Sequence, residues 1–88
     1  MSDIFDRAIE RLRQDGLWQH TDPRTCRGTC LMLSFANDVG LGEYDKTAKR
    51  IYRVLGVTSF EEAIDWNDAP GRTLEEVVDV LRRARDLP

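Results

Sequence analysis

The chain has 88 residues and a mass of 10.1 kDa, room for one small domain over residues 1–88 and no second. Hydrophobic residues make up 41% and charged residues 33%, the balance of a soluble globular protein and not of a disordered chain. Net charge is −3, so attraction to nucleic acid or to an anionic membrane is not the default. No apolar run approaches the roughly 20 residues of a membrane span, and the acidic start, Ser2-Asp3-Ile4-Phe5-Asp6, does not read as a secretory signal. Two cysteines, Cys26 and Cys30, are too few for a disulfide-stapled secreted scaffold of this size. A reducing, cytoplasmic setting is therefore expected. So small a core holds net stability to about 5 kcal/mol, which suits a monomer or a weak homodimer.

Ser2 reads as the cap of a first helix whose apolar stripe is Ile4, Phe5, Ala8, Ile9 and Leu12. Gly16 follows as its C-terminal cap, with Leu17 supplying the hydrophobic contact. Residues 18–28 lack periodicity and contain Pro23 and Gly28, an irregular loop with a short extended piece near Trp18. Trp18 is expected to pack against the next helix, since an exposed indole is uncommon without a binding role. That helix is expected over 29–38. Cys30, Leu31, Met32, Leu33, Phe35 and Ala36 make it apolar nearly all round, the mark of a central, buried element, and Gly40 and Gly42 end it.

A third helix over 44–55 buries Tyr44, Ala48, Ile51, Tyr52 and Leu55 and is closed by Gly56. Lys46, Lys49, Arg50 and Arg53 fall on its opposite side, a candidate basic face. Ser59-Phe60-Glu61-Glu62 reads as a capping box opening a short fourth helix that must stop before Ala69, because Pro70 disfavours the helical region there. Pro70-Gly71 suits a type II turn. Thr73-Leu74-Glu75-Glu76 is a second capping box, and it opens a last helix with Leu74, Val77, Val78, Leu81 and Ala84 on one face. The fold class is thus all-α, a compact orthogonal bundle of about five short helices.

His20, Cys26 and Cys30 supply three metal-capable side chains, with Asp22 as a fourth. Structural zinc sites pair their ligands more closely than His-x5-Cys-x3-Cys does, and the structural reading, Cys30 as a small core residue, is preferred. No metal or cofactor is assigned. Ser34 and Ser59 have only the lone histidine as a possible base and no nucleophile elbow; they read as a helix residue and a helix cap. Leu55-Gly56-Val57-Thr58-Ser59 resembles the turn of a helix-turn-helix. Bulky Tyr52 stands where close helix packing needs a small residue, and Glu61, Glu62 and Asp65 would meet phosphates with the wrong sign. The basic stripe reads first as a solvated face, so nucleic acid is the least favoured partner.

Trp66-Asn67-Asp68-Ala69-Pro70-Gly71-Arg72-Thr73 remains. Each residue has a structural task available: Trp66 as a core anchor, Asn67 and Asp68 on turn amides, Arg72 in a two-pronged contact with Asp68. The same segment gathers an indole, an amide, a carboxylate and a guanidinium in one turn. Trp66, Asn67, Asp68 and Arg72, with Trp18, are therefore the candidate binding residues.

Here the sequence resembles an uncharacterised family of small domains of actinobacteria and their phages. The resemblance lies in Gly16-Leu17-Trp18, in Cys30-Leu31-Met32-Leu33, and in Trp66-Asn67-Asp68 through Arg72-Thr73 to Glu76-Val77. This chain departs from the pattern in having Leu17 before the tryptophan and no Gly-Ala-Leu after the cysteine. The resemblance implies a prokaryotic or phage setting and carries no activity. The expectation is a small non-enzymatic protein-interaction domain, an accessory modulator of a partner protein; the alternative is a small-ligand or nucleotide-binding module using the Trp18 and Trp66 regions.

Overall fold

A computed structural model of the chain describes residues 4–20, 28–36 and 41–87. The described residues form five helices: α1 (Ile4–Asp15), α2 (Leu33–Ala36), α3 (Leu41–Leu55), α4 (Phe60–Asp68) and α5 (Leu74–Asp86). No strand occurs among them; one isolated parallel bridge joins Leu17 to Thr29. The all-α reading therefore holds.

The apolar stripes dictate the packing. Phe5, Ala8 and Leu12 of α1 are buried against Val77, Val80, Leu81 and Ala84 of α5, with Ile51 of α3 and Phe35 of α2 in the same core. Asp6 pairs with Arg85 at 2.6 Å and Arg13 with Glu75 at 3.6 Å, so α1 and α5 run antiparallel. α5 packs on both α1 and α3, while α4 rests on α3.

The helix boundaries follow the chemistry of their ends. Gly16 and Gly56 take positive φ after α1 and α3, and Ala69, extended at ψ 137°, stops α4 before Pro70. The Arg72 amide donates to the Ala69 carbonyl at 3.1 Å across a turn in which Gly71 has φ 82°. That is the type II geometry expected of Pro-Gly, where a side chain at the third position would be strained. Thr73 forms the complete capping box with Glu76. Ser59 accepts from the Glu62 amide, but the Glu62 carboxylate accepts from the amide of Thr58 and not from that of Ser59. The second half of this box is displaced by one residue.

The largest departure concerns the second helix, expected over 29–38. Residues 29–32 bridge and turn, and among the described residues of this stretch regular helix covers Leu33–Ala36; residues 37 and 38 lie outside the described residues. Backbone groups at Thr29 are already committed: its N–H donates to the Gly16 carbonyl at 2.8 Å, and its C=O accepts from Trp18 at 3.1 Å. The Leu33 N–H accordingly finds no carbonyl at Thr29 and donates to the Cys30 sulfur at 3.4 Å. Apolar periodicity cannot reveal this competition. The centrality of the segment is nonetheless as expected: Cys30, Leu31, Met32 and Phe35 have no exposed surface, while Leu33 turns outward.

Gly42, expected to end that helix, lies in the first turn of α3, which begins three residues before the expected start. Glu43 in that turn suits the positive end of the helix dipole. The proposed Ser2 cap and Gly40 lie outside the described residues.

Candidate functional site

Asn67 is the centre of the predicted segment and is fully buried. Capping at Ser59 and the stop at Ala69 place it in the last turn of α4, facing inward. Its Oδ1 accepts from the Leu31 amide at 3.0 Å. Its Nδ2 donates to the Trp18 carbonyl at 2.9 Å and to Asp68 Oδ1 at 3.1 Å. One amide side chain thus binds two separate stretches of backbone. Gln19 closes the arrangement from the other side, Nε2 donating to the carbonyls of Asn67 and Ala69 at 3.1 and 2.9 Å. Asp68 Oδ1 also accepts from the His20 amide at 3.0 Å. No buried side-chain nitrogen or oxygen among the described residues lacks a partner.

These bonds form a clasp of three segments, 17–20, 29–31 and 67–69. Gly28 permits their approach: a Cβ there would stand 2.6 Å from the Gly16 carbonyl oxygen and 2.9 Å from backbone atoms of Leu17 and Trp18. Thr29 adds a bond from its hydroxyl to Asp15 at 2.8 Å. Trp18 is half-buried against the core and stacks on the His20 ring at 4.0 Å.

Arg72 does not reach Asp68 as expected. Its guanidinium lies 3.9 Å over the Trp66 ring, its Nε donates to the Trp66 carbonyl at 2.9 Å, and a terminal nitrogen binds Glu76 at 2.7 Å. Asp68 is already taken by the clasp, and Glu76 stands one helical turn beyond Arg72 at the start of α5. Amide bonding from Thr73, followed by the Arg72 guanidinium, holds the Glu76 carboxyl below its ordinary range. Trp66 is half-buried against the core on its other side.

The basic face of α3 does not assemble either. Lys46 and Lys49 are bound to Glu43 and Asp45 on their own helix, at 3.9 and 3.0 Å, and Arg53 is exposed. Arg50 leaves the face altogether. It lies 5.9 Å over the Phe5 ring and donates to carbonyls at the end of α5, those of Ala84 and Arg85 and that of Leu87 just beyond it, at 2.9, 3.1 and 2.6 Å. A cation so placed satisfies acceptors that the helix end leaves open. The sequence held a sign of this: Arg50 shares a helical face with Thr47, which is buried, and Val54, which is half-buried. Gln19 carried no such sign.

Of the metal-capable set, His20 is exposed and Cys30 fully buried, while Asp22 and Cys26 lie outside the described residues. No group of three or more His, Cys, Asp or Glu able to hold a metal occurs among the described residues. Burial pushes the Cys30 thiol up, opposite to the activation that a nucleophile requires. Ser34 donates to the Leu31 carbonyl at 2.6 Å and Ser59 caps α4.

What the clasp leaves open lies elsewhere. Antiparallel α1 and α5 border an open groove of about 410 Å3 lined by charged side chains, with Ile9 half-buried between them. A smaller crevice of about 230 Å3 lies among Val54, Leu55, Trp66 and Val80. Sequence reasoning missed the groove because its walls come from opposite ends of the chain. No helix among the described residues is long and apolar enough to cross a membrane.

No curated protein and no solved structure matches the chain. Residues 1–87 match the model of DUF6197, a family of unknown function, and the chain belongs to that family.

Proposed function

We propose that this chain is a non-enzymatic protein-interaction domain, an accessory modulator working in the cytoplasm of a bacterium or of its phage-infected host, with an actinobacterial setting as the resemblance implies. The observation that carries the reading is the contrast in how polar groups are used. Asn67, Asp68 and Arg72, the residues best suited to recognition, bind the protein's own backbone and helix ends, whereas the α1–α5 groove presents charged side chains to the outside. Buried, hydrogen-bonded polar groups specify a fold; exposed charges flanking an apolar residue are what a partner can read. A thiol pushed up by burial and hydroxyls engaged in helix bonds support the non-enzymatic part.

Trp66 lining a crevice of about 230 Å3 favours a second reading, a small-ligand module. Capture from a lysate of the source cell tests the first. The immobilised chain is compared with Arg82→Glu in the groove, Lys49→Glu on α3 and Arg72→Ala at the turn. A prey lost with one surface variant and kept with the others is expected; a prey set indifferent to all three overturns the reading. Stabilisation by a nucleotide in a thermal-shift screen, about 2.7 kcal/mol at 100 times its dissociation constant, would install the second reading instead.

A further inference from the structure

The groove lies on a face where arginines gather. Arg13, Arg82 and Arg85 line it, and Arg7 and Arg11 flank it on α1 beside Glu10 and Gln14, which belong to both surfaces. Among the described residues these five guanidiniums lie beside four carboxylates, Asp6, Glu10, Glu75 and Asp86, the last bound to Arg85 at 3.1 Å, on a chain whose net charge is −3. Asp6 is bound to Arg85 at 2.6 Å. Arg13 reaches Glu75 only at 3.6 Å and stays 47% exposed, and Arg7 and Arg82 have no ion-pair partner among the described residues.

All five cations are arginine, whose planar fork binds carboxylates and phosphates in two-pronged fashion. The acids interspersed on this face decide between those ligands. A nucleic-acid strand would carry unbroken negative charge past Asp6 and Glu10, whereas a peptide can set carboxylates opposite the arginines alone and lay an aliphatic side chain on Ile9. Between two antiparallel helices, side chains of a third helix seat in the groove. From Asp6 to Arg13 the groove is about 10.5 Å long at 1.5 Å per residue, two turns of such a ligand.

We propose that the α1–α5 groove docks an acidic amphipathic helix of a partner protein, carboxylates two turns apart pairing with Arg82 and Arg13 while an aliphatic residue between them covers Ile9. The inference rests on the interaction-domain reading above and names its surface and the chemistry of its partner.

The test uses the full chain, labelled with nitrogen-15, and a synthetic helical peptide bearing two glutamates two turns apart with a leucine between them. Its lysine counterpart is the control. The glutamate peptide should bind about tenfold or more tighter than the lysine peptide at low ionic strength, shift amides of α1 and α5, and weaken as salt is raised. Arg82→Glu and Arg7→Glu should each weaken it by about tenfold with an unchanged unfolding midpoint, and Lys49→Glu should leave it unaltered. Binding by neither peptide, equal binding by both, shifts confined to other helices, indifference to Arg82→Glu, or equally strong competition by a short RNA duplex would each overturn the proposal. If lysate prey then proves sensitive to another surface, the groove is wrong and the interaction reading stands. If no prey depends on any surface, the reading itself fails.

Discussion

The clasp and the groove use the same kinds of side chain to opposite ends. In the turn that follows the clasp, Arg72 is 18% exposed, sandwiched between an indole, a carbonyl and a carboxylate; beside the groove, Arg13 is 47% exposed and loosely paired. Asn67 has every polar atom engaged by buried or half-buried partners, whereas Gln14 and Arg82 at the groove are exposed. Burial sets the consequence. A buried donor left without its partner costs far more than the same bond contributes at the surface, so polar substitutions at the clasp should lower stability and those at the groove should change what the protein binds.

Asn67→Ala should break that comparison most visibly. It leaves the Leu31 amide and the Trp18 carbonyl without a partner in the interior, and a loss of about 3 kcal/mol is expected. Urea unfolding followed by tryptophan fluorescence measures it, and a loss below about 1 kcal/mol would show that water or a local shift replaces the amide. Gly28→Ala comes next. The obstacle is backbone at 2.6 Å, which cannot swing aside as a flexible side chain would, so the segments must part at about 2 kcal/mol. A stable variant with unchanged amide exchange at Thr29 would refute the close approach.

Arg72→Ala should have a smaller effect, about 1.5 kcal/mol, from one carbonyl bond, a ring contact and a surface ion pair. The same variant should raise the Glu76 carboxyl toward its ordinary range, seen by carbon-13 titration, while the bond from Thr73 keeps part of the depression.

The last effect is absent at neutral pH. Burial raises the Cys30 thiol and, to the same sign, the phenols of Tyr44 and Tyr52. Groups raised in the folded state hold their protons longer than in the unfolded one. Their contribution is therefore complete below the unfolded value and is lost as pH rises through the folded one. Thermal midpoints should fall on the alkaline side, beginning at the ordinary thiol range, and Cys30→Ser should remove the first part of that fall. A flat alkaline profile would mean that these groups stay accessible to solvent.

The sequence made the helices legible because each carries its own local evidence. Ile4 to Leu12 repeat at helical spacing, Thr73 and Glu76 cap reciprocally, and Pro70-Gly71 dictates its turn. Contacts between distant segments were not legible. Whether Asp68 or Glu76 receives Arg72 depends on what the 17–20 segment already requires of Asp68, and no pattern within 66–76 contains that information. For the same reason residues 29–32, apolar enough for a helix, were drawn into a bridge with Leu17. Polar groups do converge around the Trp66–Thr73 segment, but the direction of their convergence, inward, required the fold.

The pairing of α1 with α5 also bears on how the chain reaches this state. The helix that covers Phe5, Ala8 and Leu12 ends at Asp86, so the apolar stripe of α1 is completed by the helix that lies farthest from it along these residues. On the ribosome, α3 and α4 can meet early, but α1 and α3 must wait for α5 to leave the exit tunnel, exposing their apolar faces meanwhile. Contacts of such long sequence separation make closure late and cooperative. Protease resistance of arrested nascent chains should therefore appear in one step, after residue 86 has emerged, and a gradual rise with chain length would show that the amino-terminal half finds another cover first.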